Sequence, residues 1–522
     1  MEYKVLIPSA GLGSRLGDLS KNLNKSLMTI YTKPVLSYII EKFPKNIEIV
    51  IAVGYSAQLI KDFVALAYPD RNIKFVDVDI YDGPGSGLGY TLLKCEQYVQ
   101  CPFIFYCNDT IVVEDIPLPD HNWMGYAEVF DNATYRSLKI ENNQIIALNE
   151  KNYKIECPAS MGINGVYDYS DFWKQMNDGK IHGSITKGET YALREMIPLG
   201  IKAVKFTWFD TGNLDAIQKT IDYFDTKEYN ILKKPNESIW FIENKVIKYS
   251  YDKDFIKERV ERNKSLDGLI PKITGYKDNM YAYEFVPGTI LSKCININIF
   301  NRLLEELKSF WKRKQLLTLE QIDEFKQKCL DFYQQKTYKR IDNYFIKYNY
   351  EDAEEIINGV KVPKIKDLLN KIDWNNISRG IPSTYHGDLH FENIVLTDAD
   401  NFLLLDWRQN FAGIIEYGDL YYDLAKILHG IIVSHDMVNN NYYFVEDNDG
   451  NIKINIHRNQ THVEIERMFF KFLKKEGYDI QKVKILTALV YLNIATLHQY
   501  PYSKFLFYFG KYSLNNILDE RY

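Results

Sequence analysis

Residues His386 to Asp406 read HGDLHFENIVLTDADNFLLLD. This one stretch carries an acid (Asp388), an amide five residues on (Asn393) and a second acid at the end of an apolar run (Asp406). Moving a phosphoryl group from ATP requires those parts in that order. One carboxylate takes or orients the proton of the attacking hydroxyl, and the amide and the later carboxylate hold the magnesium ions that bridge the phosphates. IVL and FLLLD read as two short strands joined by the turn TDADN, so a hairpin would bring Asn393 and Asp406 to one edge. HGD alone also reads as a turn with a solvated acid; HGDLHxxN followed by LLLDW narrows the reading to a site.

With GDLYYDLA from Gly418 to Ala425, the segment 386–426 resembles the aminoglycoside phosphotransferase and choline kinase group of small-molecule kinases. The resemblance implies a bilobal, protein-kinase-like α+β fold. It also implies Asp388 as the catalytic acid, and Asn393 and Asp406 as magnesium ligands beside ATP. Trp407-Arg408 stands where protein kinases have Phe-Gly, which favours a small-molecule acceptor. Asp423 is expected to order the catalytic loop rather than touch substrate.

At 522 residues the chain is too long for one ordinary core and suggests roughly two to four domains. A composition of 46% hydrophobic and 25% charged residues is that of a globular protein, and a net charge of -5 leaves no electrostatic footprint for nucleic acid. No window approaches about 18 uninterrupted apolar residues, and MEYKVLIPSAG opens as a strand rather than a signal peptide. The expectation is a cytoplasmic protein without membrane insertion; its oligomeric state stays open. Six cysteines (Cys95, Cys101, Cys107, Cys157, Cys294, Cys329) form no CxxC pair and read as reduced. HExxH is absent, and DNDG at 447–450 lacks the closing Glu of a calcium loop, so neither zinc nor calcium is expected.

At the other end of the chain, YKVLIP runs into SAGLGSRLG. Strand, glycine loop and basic residue together present backbone N–H groups to phosphate. A dinucleotide fingerprint would need a glycine where Leu16 stands, and a P-loop would need GK[ST]. What remains, GxGxR with Lys25 and KPVLSYI (33–39), resembles the nucleoside-triphosphate transferases that activate sugar phosphates. The resemblance implies a Rossmann-like α/β domain over residues 1–228, a mostly parallel sheet with helices on both faces. In it Gly11 and Gly13 wrap the nucleotide, while Arg15 and Lys25 grip the triphosphate and stabilise departing pyrophosphate. Asn24 stands where that family has Pro.

Strand and helix patterns then alternate as a parallel sheet requires. DGPGSGLGYTLLKC is a second glycine-rich turn, and the resemblance makes Gly85, Ser86 and Gly89 contacts to the base. FIFYCNDTIV places Asp109 at the carboxyl end of a buried strand, where open α/β sheets bind ligands. The resemblance pairs it with Asp210 of WFDTGN as a second magnesium clamp. It also assigns Glu150 and Lys151 of LNEK, and Gly162 of MGINGVY, to the sugar phosphate.

A polar stretch at 225–238 marks a boundary near 229, and the kinase resemblance divides the second domain, 229–522, into an N-lobe (236–291) and a C-lobe (292–522). In the kinase resemblance Lys248 contacts the ATP phosphates and pairs with Glu258 or Glu261. MYAYEFVPGTIL, with Glu284, is the hinge beside adenine. No glycine-rich loop precedes Lys248; Asn236 and Ser238 are candidates to replace one. Residues 300–378 read as amphipathic helices with solvated charged faces, and 439–459 as a hairpin turning at Asp449-Gly450.

The two halves suggest a bifunctional enzyme. A kinase would phosphorylate a small hydroxyl compound, and a transferase would couple that phosphate to CTP or UTP with release of pyrophosphate. A sugar or polyol phosphate is favoured, for a surface polysaccharide such as capsule. A fused choline kinase and phosphocholine cytidylyltransferase is the rival, and 40 tyrosines leave room for an aromatic cage around a quaternary ammonium. A protein with one half kept only for binding or regulation is the third reading.

Overall fold

The computed structural model describes residues 1–129, 134–151, 158–226, 236–266, 268–316, 318–448 and 450–519. The chain divides into two compact units, Met1–Lys253 with Thr274–Phe285, and Asp254–Ile273 with Val286–Tyr522. The boundary expected near 229 lies among residues 227–235, outside the described residues.

In chain order the first unit carries β1 (Lys4–Ser9), β2 (Thr29–Ile30), β3 (Lys33–Pro34), β4 (Glu48–Val53), β5 (Ile73–Asp77), β6 (Phe103–Tyr106) and β7 (Thr110–Val112). These are followed by β8 (Trp123–Ala127), β9 (Ser137–Glu141), β10 (Gln144–Asn149), β11 (Ala159–Val166), β12 (Lys202–Lys205) and β13 (Trp208–Asp210). Nine of these strands build one sheet in the order β5-β4-β1-β6-β11-β8-β12-β10-β9. The four strands β5, β4, β1 and β6 run parallel, as the strand–helix alternation predicts. Beyond β6 the sheet is mixed, which corrects the expectation of a mostly parallel one: β11 is antiparallel to β6 and β8, and β9 is antiparallel to β10. The connections supply the reason. Asn142 and Asn143 take φ of 48° and 62°, a tight turn that joins β9 directly to β10 and permits only antiparallel pairing.

Side chains alternate along the buried strands. Val5, Ile7, Ile49 and Ile51 enter one core with the helices Val35–Ile40 and Ala57–Ala67. Leu6, Val50 and Ala52 enter the other with the helices Leu88–Cys95, Tyr169–Asp178 and Glu189–Glu195. Covering both faces explains why these strands are apolar throughout.

A second sheet, of β14 (Glu237–Ile242), β15 (Lys245–Ser250), β16 (Ile273–Lys277) and β17 (Met280–Glu284), has the order β14-β15-β17-β16. The sequence assigns these strands to the second domain, yet Trp240, Ile247, Tyr249 and Met280 share the first of those cores. Trp240 meets Phe63 edge-on at 5.1 Å and donates to Thr29 Oγ1 at 2.8 Å, while Tyr249 donates to the Asn22 carbonyl at 2.6 Å.

In the second unit, β18 (Gly288–Ile290) pairs with the strand Ile394–Thr397, which turns back into Phe402–Leu404 as the expected hairpin. The helices Ile297–Phe310, Leu319–Leu330 and Lys336–Tyr348 follow the predicted amphipathic pattern, with a π-helical turn, Asp331–Gln335, between the last two. Glu355–Ile357 and Val360–Val362 form an unexpected hairpin, turned at Asn358 and Gly359 with φ of 49° and 78°. The helix Ile480–Ala495 packs against Leu420–Ile432, Lys336–Tyr348 and Tyr502–Asp519. Tyr443–Asn448 pairs with Asn451–Ile456 as the predicted hairpin, and Asp449 of its turn lies outside the described residues. Among the described residues no helix is long and apolar enough to cross a membrane.

Candidate active sites

In the first unit the loop after β1 closes over a cavity of about 150 Å³ lined by Gly11, Gly13, Ser14, Arg15, Leu16, Lys25 and Gly212. Gly13 takes φ of 70°, and a side chain there would press on the stem of Lys25. Asn24 caps the turn that carries Lys25. Its carboxamide oxygen accepts from the Ser26 N–H at 3.0 Å, and its NH₂ donates to the Tyr55 and Ser9 carbonyls at 2.8 and 3.3 Å. Fully buried, Asn24 uses both ends of its amide to fix the lysine.

Asp109 and Asp210 are distant in sequence and meet through a short ladder. β13 runs antiparallel to β7 with Asp210 opposite Thr110, and the Thr211 N–H donates to the Asp109 carbonyl at 2.9 Å. A Cβ added to Gly212 would stand 3.0 Å from Asp210 Oδ1, 3.3 Å from Asp109 Oδ2 and 3.7 Å from an Arg15 nitrogen. Both carboxylates and the guanidinium therefore face one small space, which only glycine at 212 leaves open. No group of three acidic, His or Cys ligands exists among the described residues. Two carboxylate oxygens are what a protein offers magnesium when waters and phosphates supply the rest, so the donor set fits that ion.

Charges here are balanced by direct contact. Lys25 Nζ lies 2.9 Å from Asp109 Oδ2, and Cys107 Sγ donates to Asp109 Oδ1 at 2.9 Å. Burial would raise the Asp109 carboxyl, but Lys25, Cys107 and Arg15 outweigh it and hold it at about 2. For Asp210 burial prevails, aided by the Asp109 charge, and pushes the carboxyl up despite the Gly212 N–H at 2.8 Å and the Tyr135 hydroxyl at 2.9 Å.

The other expected residues of this half divide into two groups. Lys151 shares the field of the site: burial, Arg15 and Arg136 depress its ammonium, while Asp109 and Asp210 oppose them. Glu150 is clamped by Arg136 at 3.1 Å and Arg194 at 2.7 Å, and Gly162 accepts the Cys107 N–H at 2.9 Å with φ of 75°. Gly85 (φ 87°) leaves open space, Ser86 donates to the Gly83 carbonyl at 2.7 Å, and Gly89 is pinned against the Ser184 carbonyl. Packing alone accounts for glycine at 89. The sequence reading passed over Cys107, Tyr135, Arg136, Arg194 and Glu189. Glu189 is 5% exposed, and burial raises it to about 7; its Oε2 has no hydrogen-bond partner among the described residues. Its only sequence signal is the Gly188-Glu189 pair that opens a helix.

Lys248 and Glu284 belong to the first unit by contact: Lys248, 8% exposed on β15, stands between Ile239 and Tyr281, and exposed Glu284 stands opposite Lys245. Glu258 and Glu261 belong to the second unit, where Glu258 accepts from the Asn410 amide and Glu261 pairs with Lys264 at 3.2 Å.

The second unit gathers the HGD stretch as the hairpin requires. Ile394 stands opposite Leu404, and the Leu405 N–H donates to the Asn393 carbonyl at 2.7 Å, so Asn393 and Asp406 emerge at the same edge. Asn393 donates to the Asp388 carbonyl at 2.9 Å and its carboxylate at 3.2 Å. Asp406, in the left-handed region at φ 59°, pairs with Arg259 at 3.1 Å. An amide oxygen and a carboxylate at one edge again suit magnesium. Buried Asp423 accepts from the His386 and Gly387 N–H groups at 2.6 and 2.7 Å and from Trp311 at 3.0 Å, which orders the loop before Asp388. Lys426, one helical turn on, pairs with Asp388 Oδ1 at 2.8 Å, and His390 stands 3.7 Å from Oδ2 with its other nitrogen 2.9 Å from Glu392. Burial opposes the Asp388 charge, yet Lys426 and His390 hold its carboxyl well below the usual range; His390 is raised to about 9 against burial by Asp388 and Glu392.

No family profile matches the chain. Its N-terminal part is similar to the bifunctional protein GlmU of Methanococcus vannielii, 28% identical over 234 residues that make up 42% of this chain and 54% of the relative. It is also similar to UTP–glucose-1-phosphate uridylyltransferase 2 of Streptococcus pyogenes, 26% identical over 189 residues, 32% of this chain and 62% of the relative. The chain thus spans about half the length of the GlmU relatives it matches. Among solved structures, UDP-glucose pyrophosphorylase from Acinetobacter baumannii aligns with 44% of this chain and 95% of its own, at 15% identity and a TM-score of 0.37.

Proposed function

We propose that the chain is a two-site transferase: a nucleotidyltransferase centre at Arg15, Lys25, Asp109 and Asp210, and a phosphotransferase centre at Asp388, Asn393 and Asp406. The observation that carries the first assignment is the convergence of Asp109, Asp210 and Arg15 on the space in front of Gly212. The similarity of this half to a UTP–glucose-1-phosphate uridylyltransferase supports it.

In the first centre the triphosphate of CTP or UTP lies along the Gly11–Gly13 loop. Backbone N–H groups and the Arg15 and Lys25 cations bind its phosphates there. A phosphate monoester oxygen attacks the α-phosphorus, the bond to the bridging oxygen breaks, and pyrophosphate leaves with its charge met by the two cations. Asp109 and Asp210 are the residues that would hold magnesium, which would supply charge neutralisation at the α-phosphate. Lys151 and the Arg136–Glu150–Arg194 clamp orient the acceptor phosphate and its sugar.

In the second centre Asp388 takes the proton of an alcohol as its oxygen attacks the γ-phosphorus of ATP, and ADP departs. Lys426 and the Asp423-anchored loop hold Asp388 in place. Asn393 and Asp406 are the residues that would hold magnesium, which would supply charge neutralisation at the phosphates of ATP. The phosphate monoester made here is the acceptor of the first centre, which yields a nucleoside-diphosphate precursor of a surface polysaccharide.

The test is to incubate the protein with magnesium, each NTP in turn, and panels of sugar phosphates, polyol phosphates and their unphosphorylated parents. Pyrophosphate is expected only when a phosphate monoester and CTP or UTP are both present, and ADP only when ATP meets a compound with a free hydroxyl. Pyrophosphate release indifferent to the monoester would defeat the first assignment, and ADP formation indifferent to the alcohol would defeat the second.

A further inference from the structure

The second unit holds more positive charge beside Asp388 than that acid can balance. The π-helical turn Asp331–Gln335 leads into Lys336, and such bulges, rare within helices, recur at functional sites. The Lys336 ammonium sits 3.7 Å over the Phe332 ring and 5.1 Å from the Tyr422 ring, and the Arg408 guanidinium sits 4.8 Å from the same Phe332 ring. Arg408 also lines the loop of the catalytic acid: a Cβ on Gly387 would meet the Arg408 side chain at 2.6 Å. Lys426 completes the group at 2.8 Å from Asp388.

Burial and then Arg408, Arg340 and Lys426 push the Lys336 ammonium well below its usual range, with Asp388 opposing; burial and Arg408 also depress Arg340. Among the described residues no carboxylate lies within ion-pair distance of Lys336, Arg340 or Arg408. Aromatic faces give these cations only partial compensation. Cations crowded together at a cost to the fold, without acidic partners, mark a seat for an anion.

We infer that the hydroxyl compound phosphorylated at Asp388 is itself an anion, with a carboxylate or phosphate held by Lys336, Arg340 and Arg408 while its free hydroxyl faces Asp388. This rests on the phosphotransferase reading of Asp388 and narrows it to hydroxy acids, acidic sugars and already phosphorylated sugars or polyols. A quaternary ammonium would meet the same crowd of like charges, so the inference disfavours choline.

The test pairs probes that differ in charge: D-gluconate with D-glucose, and glycerol 3-phosphate with glycerol, plus choline. ADP formation by the full chain is followed, and binding of each probe is measured by calorimetry. The anionic member of each pair is expected to bind and react better. Lys336→Met and Arg340→Met are expected to weaken its binding and raise its KM by about 10- to 100-fold, while the KM for ATP stays. Lys336→Arg should keep most of the preference, and Lys336→Met should melt no lower than the parent because it relieves repulsion. Equal or better use of the neutral member or of choline would overturn the inference, as would variants that raise the KM for ATP instead. Should no probe yield ADP, calorimetry decides: anions binding no tighter than their neutral partners overturns it. ADP formation that survives Asp388→Asn defeats the reading of Asp388, while an anion preference lost in Lys336→Met would still stand.

Discussion

The two acidic centres are built in opposite ways. In the first unit Asp109 and Asp210 come from segments about a hundred residues apart, and a three-residue ladder with a glycine behind it brings them together. In the second unit Asp388, Asn393 and Asp406 lie within one hairpin-forming stretch. Charge differs as well. Asp109 has Lys25 in contact, with Arg15 and Asp210 nearby, so cations and acids match; Asp388 stands before a surplus of cations. The first arrangement suits a magnesium-neutralised triphosphate met by a phosphate monoester. The second holds cations beyond the one that pairs with its acid.

The largest expected effects separate the centres. Asp388→Asn should lower ADP formation by about 100- to 10,000-fold, the range for removing a general base, and leave pyrophosphate release from a supplied monoester unchanged. Asp109→Asn should show the reverse, with a loss beyond the ~100-fold typical of outer-sphere metal partners. Coupled assays for ADP and pyrophosphate on each variant check both, and parallel losses would break the comparison.

A stability change should also stay local. Lys511 and Glu355, 0% and 7% exposed, form a 2.6 Å ion pair in the second unit, with Tyr350 and Tyr508 donating to Glu355 at 3.0 and 3.1 Å. Glu355→Ala strands a buried ammonium and should cost about 3–5 kcal/mol. On heating, ADP formation should fail at a lower temperature than pyrophosphate release.

Smaller effects follow. Asn24→Ala leaves buried groups without partners and should cost about 1–3 kcal/mol while raising the KM for the NTP. Asn24→Pro should cost less, because φ of -60° and ψ of 143° at position 24 suit proline. Chemical denaturation and NTP titration of both variants check this. His390, raised from its ordinary value of 6.5 to about 9 in the fold, contributes stability that is fully present below about pH 6.5 and lost as pH rises through 9. The contribution is at most about 3 kcal/mol, and His390→Gln should flatten that part of the melting profile.

Legibility followed the same division. The meeting of Asn393 and Asp406 at one edge was readable because the IVL–TDADN–FLLLD alternation shows the hairpin that aligns them. Lys426 was missed although it follows Asp423 by one helical turn, since its role depends on where the HGD loop lies. In the first unit the glycine loop and both acids were readable as motifs, but Tyr135 and Arg136 reach Asp210 and Glu150 by folds of the chain that leave no local pattern. The sheet's antiparallel half follows from turns such as Asn142–Asn143, which outweighed strand–helix alternation. Asn358-Gly359, a hairpin signal in plain view, was absorbed into a helical reading of its surroundings. The strands β14–β17 were readable as regular strands, but that Trp240 buries itself against Phe63 is a tertiary fact no local pattern carries.

The most direct measurement mixes the two inactive variants. Asp109→Asn and Asp388→Asn protein, each alone, should fail to convert an unphosphorylated acceptor, ATP and CTP or UTP into a nucleoside-diphosphate product. Combined in equal amounts they should restore it, because each supplies the centre the other lacks. A mixture that stays silent, while each variant still performs its own remaining step, would contradict a relay between two independent centres.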